Sequence, residues 1–303
     1  MSAERITVRV EGRDLRLSNL DKVLYPETGF SKRDVIDYYR RVAPVMLPHL
    51  RERAATLIRF PEGVGGESFF EKDVSRHAPA WIPTVTLRSG ATGSGESVNH
   101  HVVLGDLPTL VWTVNLAALE LHVPQWTVGP DDRRRCPDLL VFDLDPGQPA
   151  TVVECCRTAE LLREVLAADD LRAYPKTSGS KGMQLYCPIS TDEATNPSAY
   201  AKRVALQLEK DHPERIVARM TKSARAGKVF IDWSQNNPAK TTVAPYSLRA
   251  RARPAVSAPV TWQEVRDCRR SEDLVFTPED VVRRLDDHGD PLADLHRDPT
   301  ALG

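Results

Sequence analysis

The sequence lacks most of the features that would take it out of the ordinary globular class. No apolar run approaches the roughly 18 residues that a membrane-crossing helix needs. The opening stretch MSAERITVRVEG carries charge where a secretory leader needs an apolar segment, so a cytoplasmic protein is expected, with no membrane partner. Cysteine is scarce: Cys136, Cys155, Cys156, Cys187 and Cys268 are odd in number and form no C-x-x-C pair. That spacing argues against a disulfide framework or a structural zinc site and for reduced, packed thiols. There is no internal repeat and no low-complexity linker. The phosphate-loop pattern G-x-x-x-x-G-K-[ST] is absent too. Net charge is only −1 at pH 7, which argues against a dedicated nucleic-acid binder when the chain is taken as a whole.

What is present begins with the distribution of that charge. From Arg215 to Arg253 nine basic residues stand against one acid, Asp232, so the remainder is acidic and the chain is polarised. A basic run is commonly a solvated face, but a lone aspartate inside a cationic stretch invites a role. The 303 residues, 41% hydrophobic and 27% charged, suffice for one large core or two modest ones.

Local patterns alternate between strand and helix. RITVRV and DLRLSN flank Glu11-Gly12 as a hairpin. Ser31 caps a helix with Val35, Tyr39, Val42 and Met46 on one face, and Pro44 is expected to bend or end it. A second helix is expected from about Leu110 to Leu121. Thr151 and Glu154 form a capping box for a helix carrying Cys156, Ala159, Leu162 and Leu166 inward. MQLYCPI and KVFIDWS read as strands, Asn196-Pro197 starts another helix, and Thr261 and Thr277 open two C-terminal ones. The turn-rich GPDDRRRCPD marks a candidate boundary near residue 130. Mixed α/β architecture follows, as one compact unit or two intimately packed halves.

Three stretches carry chemistry. In DLLVFDLDPG the strand alternation places Asp143 and Asp145 on one face, about 7 Å apart, where they can converge on hard cations beyond the strand end. Alone, this motif is equally a pair of solvated aspartates. KTSGSKGMQLY sets Ser178, Gly179, Ser180, Lys181 and Gly182 before a strand, a small-residue loop able to cradle phosphate, or a plain tight turn. KVFIDWSQN puts Asp232 on a strand behind Lys222, Arg225 and Lys228. Three carboxylates, a phosphate cradle and a cationic stretch together meet the needs of two-metal phosphoryl or nucleotidyl transfer.

At this point the motifs resemble a known family. FDLDP, SGSKGMQLY and KVFIDWSQNNPAKTTVAPYSLRAR are similar to motifs I, II and III of the archaeo-eukaryotic primase superfamily, specifically the polymerase domain of bacterial ligase D and its stand-alone relatives. The likeness extends through LSNLDKVLYPETGFSKRDVIDYY, SFFEKD, ALELHVPQW and AKRVALQLE. It implies an α/β (α+β) primase-polymerase core with two packed β-sheets and flanking helices. That is one domain over 1–303, with an N-terminal module of about 1–130, a catalytic core of about 131–253 and C-terminal helices of about 254–303.

The resemblance further implies gap filling and 3′-end extension in DNA repair on gapped or broken DNA bearing a 5′-phosphate. NTPs would be preferred to dNTPs, Mn²⁺ or Mg²⁺ would be the cofactor, and Ku and an ATP-dependent DNA ligase would work beside a nucleoid-associated protein. By motif, Asp143, Asp145 and Asp232 would be the catalytic metal ligands. Ser178, Lys181 and Arg249 would hold the triphosphate, and His122 and Gln235 would lie near the sugar. Phe69 and Phe70, which from residues alone read as core, match an aromatic pair that stacks on base or template. Lys22 and Lys32 match lysines that grip a 5′-phosphate, and Arg225 matches a loop arginine near the active site.

Two departures stand out. Gln184 occupies the position of a motif II histidine that contacts nucleotide phosphates; it can donate a hydrogen bond but cannot become cationic. In TLIRFPEG, Arg59 persists as a template or phosphate contact, but Leu57 and Ile58 bring no charge. The K-x-D-G motif of a ligase nucleophile is missing, so sealing is expected from another polypeptide or domain. Two other functions compete: a noncatalytic DNA-end adaptor, and a metal-dependent nuclease or phosphohydrolase using the same carboxylates on water.

Overall fold

The computed structural model describes residues 5–89 and 97–302. Its organising element is the strand Leu139–Pro146, central in a six-stranded sheet. Met183–Ser190 lies on one side of it, with Tyr174–Thr177 beyond, and Val229–Asp232 lies on the other, with Ile216–Val217 beyond. Thr300–Ala301 adds to Met183–Ser190 in parallel. The alternation of the central strand explains its burial. Leu140, Phe142 and Leu144 enter the main core with Cys155, Cys156, Ala159, Leu162 and Leu166 of the helix Val152–Ala168. On the opposite face, Leu139 and Val141 pack with Tyr186, Leu292 and Leu295. Only the carboxyl end of that face is left to Asp143 and Asp145.

A second, four-stranded sheet runs in the order Thr242–Val243, Ala118–Val123, Thr56–Arg59 and Phe69–Glu71. The expected hairpin is Arg5–Val10 paired antiparallel with Arg13–Ser18. The expected capping boxes at Thr151, Thr261 and Thr277 are present and open the helices Val152–Ala168, Trp262–Asp267 and Pro278–His288. The helix after Thr195 spans Asn196–Asp211. All five cysteines are free, and four of them are buried. Among the described residues no helix is long and apolar enough to cross a membrane.

Of two expectations, the first is narrowed, since Pro44 does not end its helix, and the second is corrected. The helix capped by Ser31 runs from Lys32 to Leu50, through both Pro44 and Pro48. An interior proline costs about 3 kcal/mol, but the turns beyond Pro44 carry Met46 and Leu50, both fully buried. At roughly 1.5–3 kcal/mol for each large apolar side chain, their burial offsets that cost. The second helix is Leu107–Asn115, capped by Asp106 and with Pro108 in its first turn. It does not reach Leu121. Ala117 takes a left-handed φ of 60° and the chain turns into the strand Ala118–Val123. An apolar run of that length suits either period; pairing on both edges, with Thr56–Arg59 and Thr242–Val243, decides for the strand.

Candidate active site

The sheet register builds one polar row. Lys176 stands opposite Gln184, Gln184 opposite Asp143, and Asp143 opposite Asp232, so all four side chains share a face. Asp145 is two residues along the same strand. Gln184 Nε2 donates to Asp143 Oδ1 at 2.9 Å. Gln235 Nε2 lies 3.4 Å from Asp143 Oδ2 and 3.1 Å from Asp232 Oδ2. Asp232 Oδ1 accepts from the backbone N–H of Ser234 at 3.0 Å and from its hydroxyl, and Lys240 Nζ approaches Asp232 Oδ2 at 3.6 Å.

The electrostatics are those of carboxylates short of positive charge. Burial, then the charge of Asp145, pushes the Asp143 carboxyl up to about 7, even though the Gln184 amide favours its ionised form. Burial and Asp232 raise Asp145, against the pull of Arg225 and Lys181. Lys176 supplies little relief. It is fully buried, bonded to the Ser257 hydroxyl and the Thr177 carbonyl, and burial drives its ammonium well below the usual range. Among the described residues no three His, Cys, Asp or Glu side chains already close around a single point. The Gln235 amide bridges Asp143 and Asp232, and turning it aside would free oxygens of both. Three carboxylates offering only oxygen are a donor set for a hard divalent cation, and their mutual repulsion is what such an ion would relieve.

The Ser178–Gly182 loop closes one side. Ser178 N donates to Gly182 O at 2.9 Å, and the Ser178 hydroxyl accepts from the N–H groups of Ser180 and Gly182. Gly182 is required here, because a Cβ would lie 2.0 Å from the Leu144 carbonyl oxygen. Lys181 is exposed at the loop tip and borders a cavity of about 590 Å³, which Arg251 and Arg253 also line. At the strand end a Cβ on Gly147 would sit 1.9 Å from the Arg225 carbonyl oxygen. The turn bearing Arg225 is therefore pressed against the aspartate strand. The Arg225 side chain donates to Met220 O and lies 3.7 Å over the Phe230 ring.

The second sheet contributes a linked trio. Glu120 Oε2 accepts from His122 Nε2 at 3.0 Å; Glu120 Oε1 accepts from Ala250 N at 3.0 Å and lies 3.2 Å from Arg249 Nε. Arg249 Nη1 in turn donates to Ser178 O at 2.9 Å, tying this sheet to the phosphate-type loop. Burial alone would raise Glu120, but His122, Arg249 and the Ala250 N–H together hold it down to about 2. Burial lowers His122 against the opposing charge of Glu120.

A separate cationic cluster lies on the N-terminal segments. Lys32 Nζ donates to Ser18 O at 2.7 Å; burial, then Lys22 and Arg59, lowers its ammonium to about 8. Lys22 pairs with Glu62 at 2.8 Å, and Arg59 with Glu71 at 2.5 Å. Phe69 and Phe70, on the strand paired with Arg59, are 44% and 60% exposed, so they are not core.

Glu120, Lys176 and Lys240 escaped the sequence reading. Glu120 precedes His122 by two in ALELH, a same-face spacing that the helix expectation concealed. Lys176 is a charge inside a strand, a signal visible in YPKT. Gln184, placed by motif near phosphate, is buried with its amide on Asp143.

Residues 31–292 match the family model described as LigD, primase-polymerase domain. The chain is 46% identical over 287 residues to the multifunctional non-homologous end joining protein LigD of Mycolicibacterium smegmatis, covering 94% of this chain and 36% of that protein. It is 33% identical over 287 residues to the bifunctional non-homologous end joining protein LigD of Bacillus subtilis, covering 94% and 44%. The solved polymerase domain from Mycobacterium tuberculosis ligase D in complex with DNA superposes with a TM-score of 0.86 at 42% identity, over 94% of this chain and 99% of that one. The chain thus spans less than half the length of these curated relatives.

Proposed function

The chain belongs to the LigD primase-polymerase family, a metal-dependent nucleotidyltransferase family, and from that premise we propose that it fills gaps and extends 3′ ends of broken DNA. The observation that carries this reading is the row of like-charged carboxylates, Asp143 and Asp232 opposite each other with Asp145 alongside, bordered by the Lys181 loop.

Asp143, Asp145 and Asp232 hold divalent ions, manganese or magnesium. Bound there, such ions neutralise a triphosphate and lower the pKa of an attacking 3′-hydroxyl. The chain's own groups do the rest. Gln184 fixes Asp143 through its amide, and so acts on the nucleotide through that carboxylate. Ser178, Lys181 and Arg249 hold the triphosphate. His122 and Gln235 face the sugar. Phe69 and Phe70 offer exposed rings for stacking on base or template without sequence preference. Arg225, pressed against the aspartate strand, adds positive charge near Asp145.

Lys22, Lys32 and Arg59 form the grip for the 5′-phosphate across a gap. A buried ammonium repelled by two neighbouring cations is stabilised by an anion. The N-terminal module, to about residue 130, then carries the DNA grips and the core the chemistry. The names of the relatives place them in non-homologous end joining. For this chain the proposed setting is the same, at the nucleoid, beside Ku and an ATP-dependent DNA ligase.

The test is a labelled primer on a gapped template, with and without the downstream 5′-phosphate, given NTPs or dNTPs with Mn²⁺ or Mg²⁺. Addition of one or a few nucleotides, stronger with NTPs and with the phosphate present, supports the reading. Tight gap binding without extension indicates an adaptor, and a shortened primer indicates a nuclease.

A further inference from the structure

We propose that Glu120 is a positioning residue that sets the nucleotide-facing sides of both His122 and Arg249. This rests on the reading of the site as a nucleotide pocket and adds to it a residue with no phosphate or metal contact of its own.

Two N–H groups, His122 Nε2–H and the Ala250 backbone N–H, donate to this one carboxylate, and the Arg249 guanidinium is ion-paired with it, its Nε 3.2 Å from Oε1. All three side chains are well covered, at 9% exposure for Glu120, 15% for His122 and 18% for Arg249. The backbone on both sides of Arg249 is also held, its carbonyl by the Tyr25 hydroxyl at 3.1 Å and the following N–H by Glu120. What directs the guanidinium is then Glu120 on one side and the Ser178 carbonyl, at the start of the phosphate-type loop, on the other.

For His122 the consequence is a tautomer. An ionised carboxylate can only accept, so the proton of a neutral imidazole sits on Nε2 and Nδ1 is left as an acceptor. An acceptor presented to a nucleotide sugar takes a hydrogen bond from a hydroxyl donor, which a ribose offers at its 2′ position and a deoxyribose does not. Glu120 therefore bears on two properties, triphosphate affinity through Arg249 and sugar discrimination through His122.

Replacing Glu120 by glutamine keeps the shape and breaks the logic. The amide has one accepting oxygen and two N–H donors where two donors and a cation now converge. Either His122 loses its acceptor or its tautomer reverses and Nδ1 becomes a donor. In either case the ion pair with Arg249 is gone.

The experiment is steady-state primer extension on a phosphorylated gap by the parent chain, Glu120→Gln, His122→Ala and the double variant, with NTP and dNTP measured separately, alongside gap binding and thermal melting. The expected result for Glu120→Gln is a KM for NTP raised about 10- to 100-fold, the range typical for loss of a partner that orients a functional side chain. The change in kcat is expected to be only a few-fold, NTP preference over dNTP is lost, gap binding stays at the parental value, and the melting temperature falls by a few degrees as the buried ion pair is removed. The double variant discriminates sugars no worse than His122→Ala alone, because both changes act on one device. Parental KM and preference in Glu120→Gln overturn the proposal, as does an equal loss for both nucleotides that leaves the preference for NTP intact. A parent that extends no primer refutes the underlying reading and takes the inference with it.

Discussion

Asp143→Asn should stabilise the metal-free protein while abolishing nucleotide addition. Asp143 is buried, faces Asp232 directly across the strand pair and has Asp145 two residues away. Its carboxyl is pushed from the ordinary 3.8 to about 7. Each pH unit corresponds to about 1.36 kcal/mol, so keeping this carboxylate ionised in the fold costs at most about 4 kcal/mol above pH 7. Asparagine removes the charge and keeps an oxygen for the Gln184 amide. It also adds N–H donors that Gln235 must turn to meet, so a net gain of about 1–3 kcal/mol is expected. At a few degrees per kcal/mol for a chain of this size, that is about 2–8 °C in melting temperature.

The pH dependence fixes the sign of this effect. The folded chain holds the Asp143 proton more tightly than the unfolded chain, so the group's stabilising contribution is complete below about pH 4 and is lost as pH rises through about 7. Parent and variant should therefore melt together near pH 4, separate between pH 4 and 7, and keep a constant offset at pH 8. The assay is thermal melting in a chelator at pH 4, 6 and 8, then at pH 8 with Mn²⁺, which should raise the parent more than the variant. An Asp143→Asn protein that melts below the parent at pH 8, or shows the same offset at pH 4 as at pH 8, refutes the account of the carboxylate row.

Other substitutions probe the surroundings of that row. Gly182→Ala puts a Cβ 2.0 Å from the Leu144 carbonyl oxygen; a melting temperature lowered by several degrees and weakened nucleotide binding are expected, and a parental profile would show that the loop is not wedged there. Lys22→Ala should weaken binding to a 5′-phosphorylated gap about tenfold and to an unphosphorylated one far less, measured by fluorescence anisotropy; equal losses would make Lys22 a generic contact. Phe70→Ala, at a ring 60% exposed, should leave melting unchanged and reduce affinity for primer-template by about 1–3 kcal/mol per stacked base; a loss of stability instead would mean the ring packs on the protein.

Much of the fold was legible because local signals agreed with it. The capping boxes at Ser31, Thr151, Thr261 and Thr277 each open a helix, and the alternation in DLLVFDLDPG correctly put both aspartates on one face. Failures came where long-range pairing outweighed local pattern. Leu110–Leu121 has helical spacing, yet hydrogen bonding on both edges of Ala118–Val123 makes its second half a strand. Pro44 signals an end that burial of Met46 and Leu50 overrides. The carboxylates could be named from sequence because each motif is contiguous. Lys176 joins their row only through sheet register, and Glu120 joins His122 and Arg249 only once a strand and a segment 130 residues on are brought together. Gln184 stood out in the sequence as a missing histidine; in the fold it is the amide that holds Asp143.

Nucleotidyl transfer by Asp143, Asp145 and Asp232 together is the proposal on which the other predictions depend. Its most direct test is single-nucleotide incorporation at a 5′-phosphorylated gap by the parent and by Asp145→Ala, side by side with Mn²⁺ and NTP. The expected result is a primer lengthened by one or a few nucleotides with the parent and unchanged with Asp145→Ala, although the variant still binds the gap. A parent that leaves the primer unextended with every divalent metal, or that shortens it, would contradict the claim.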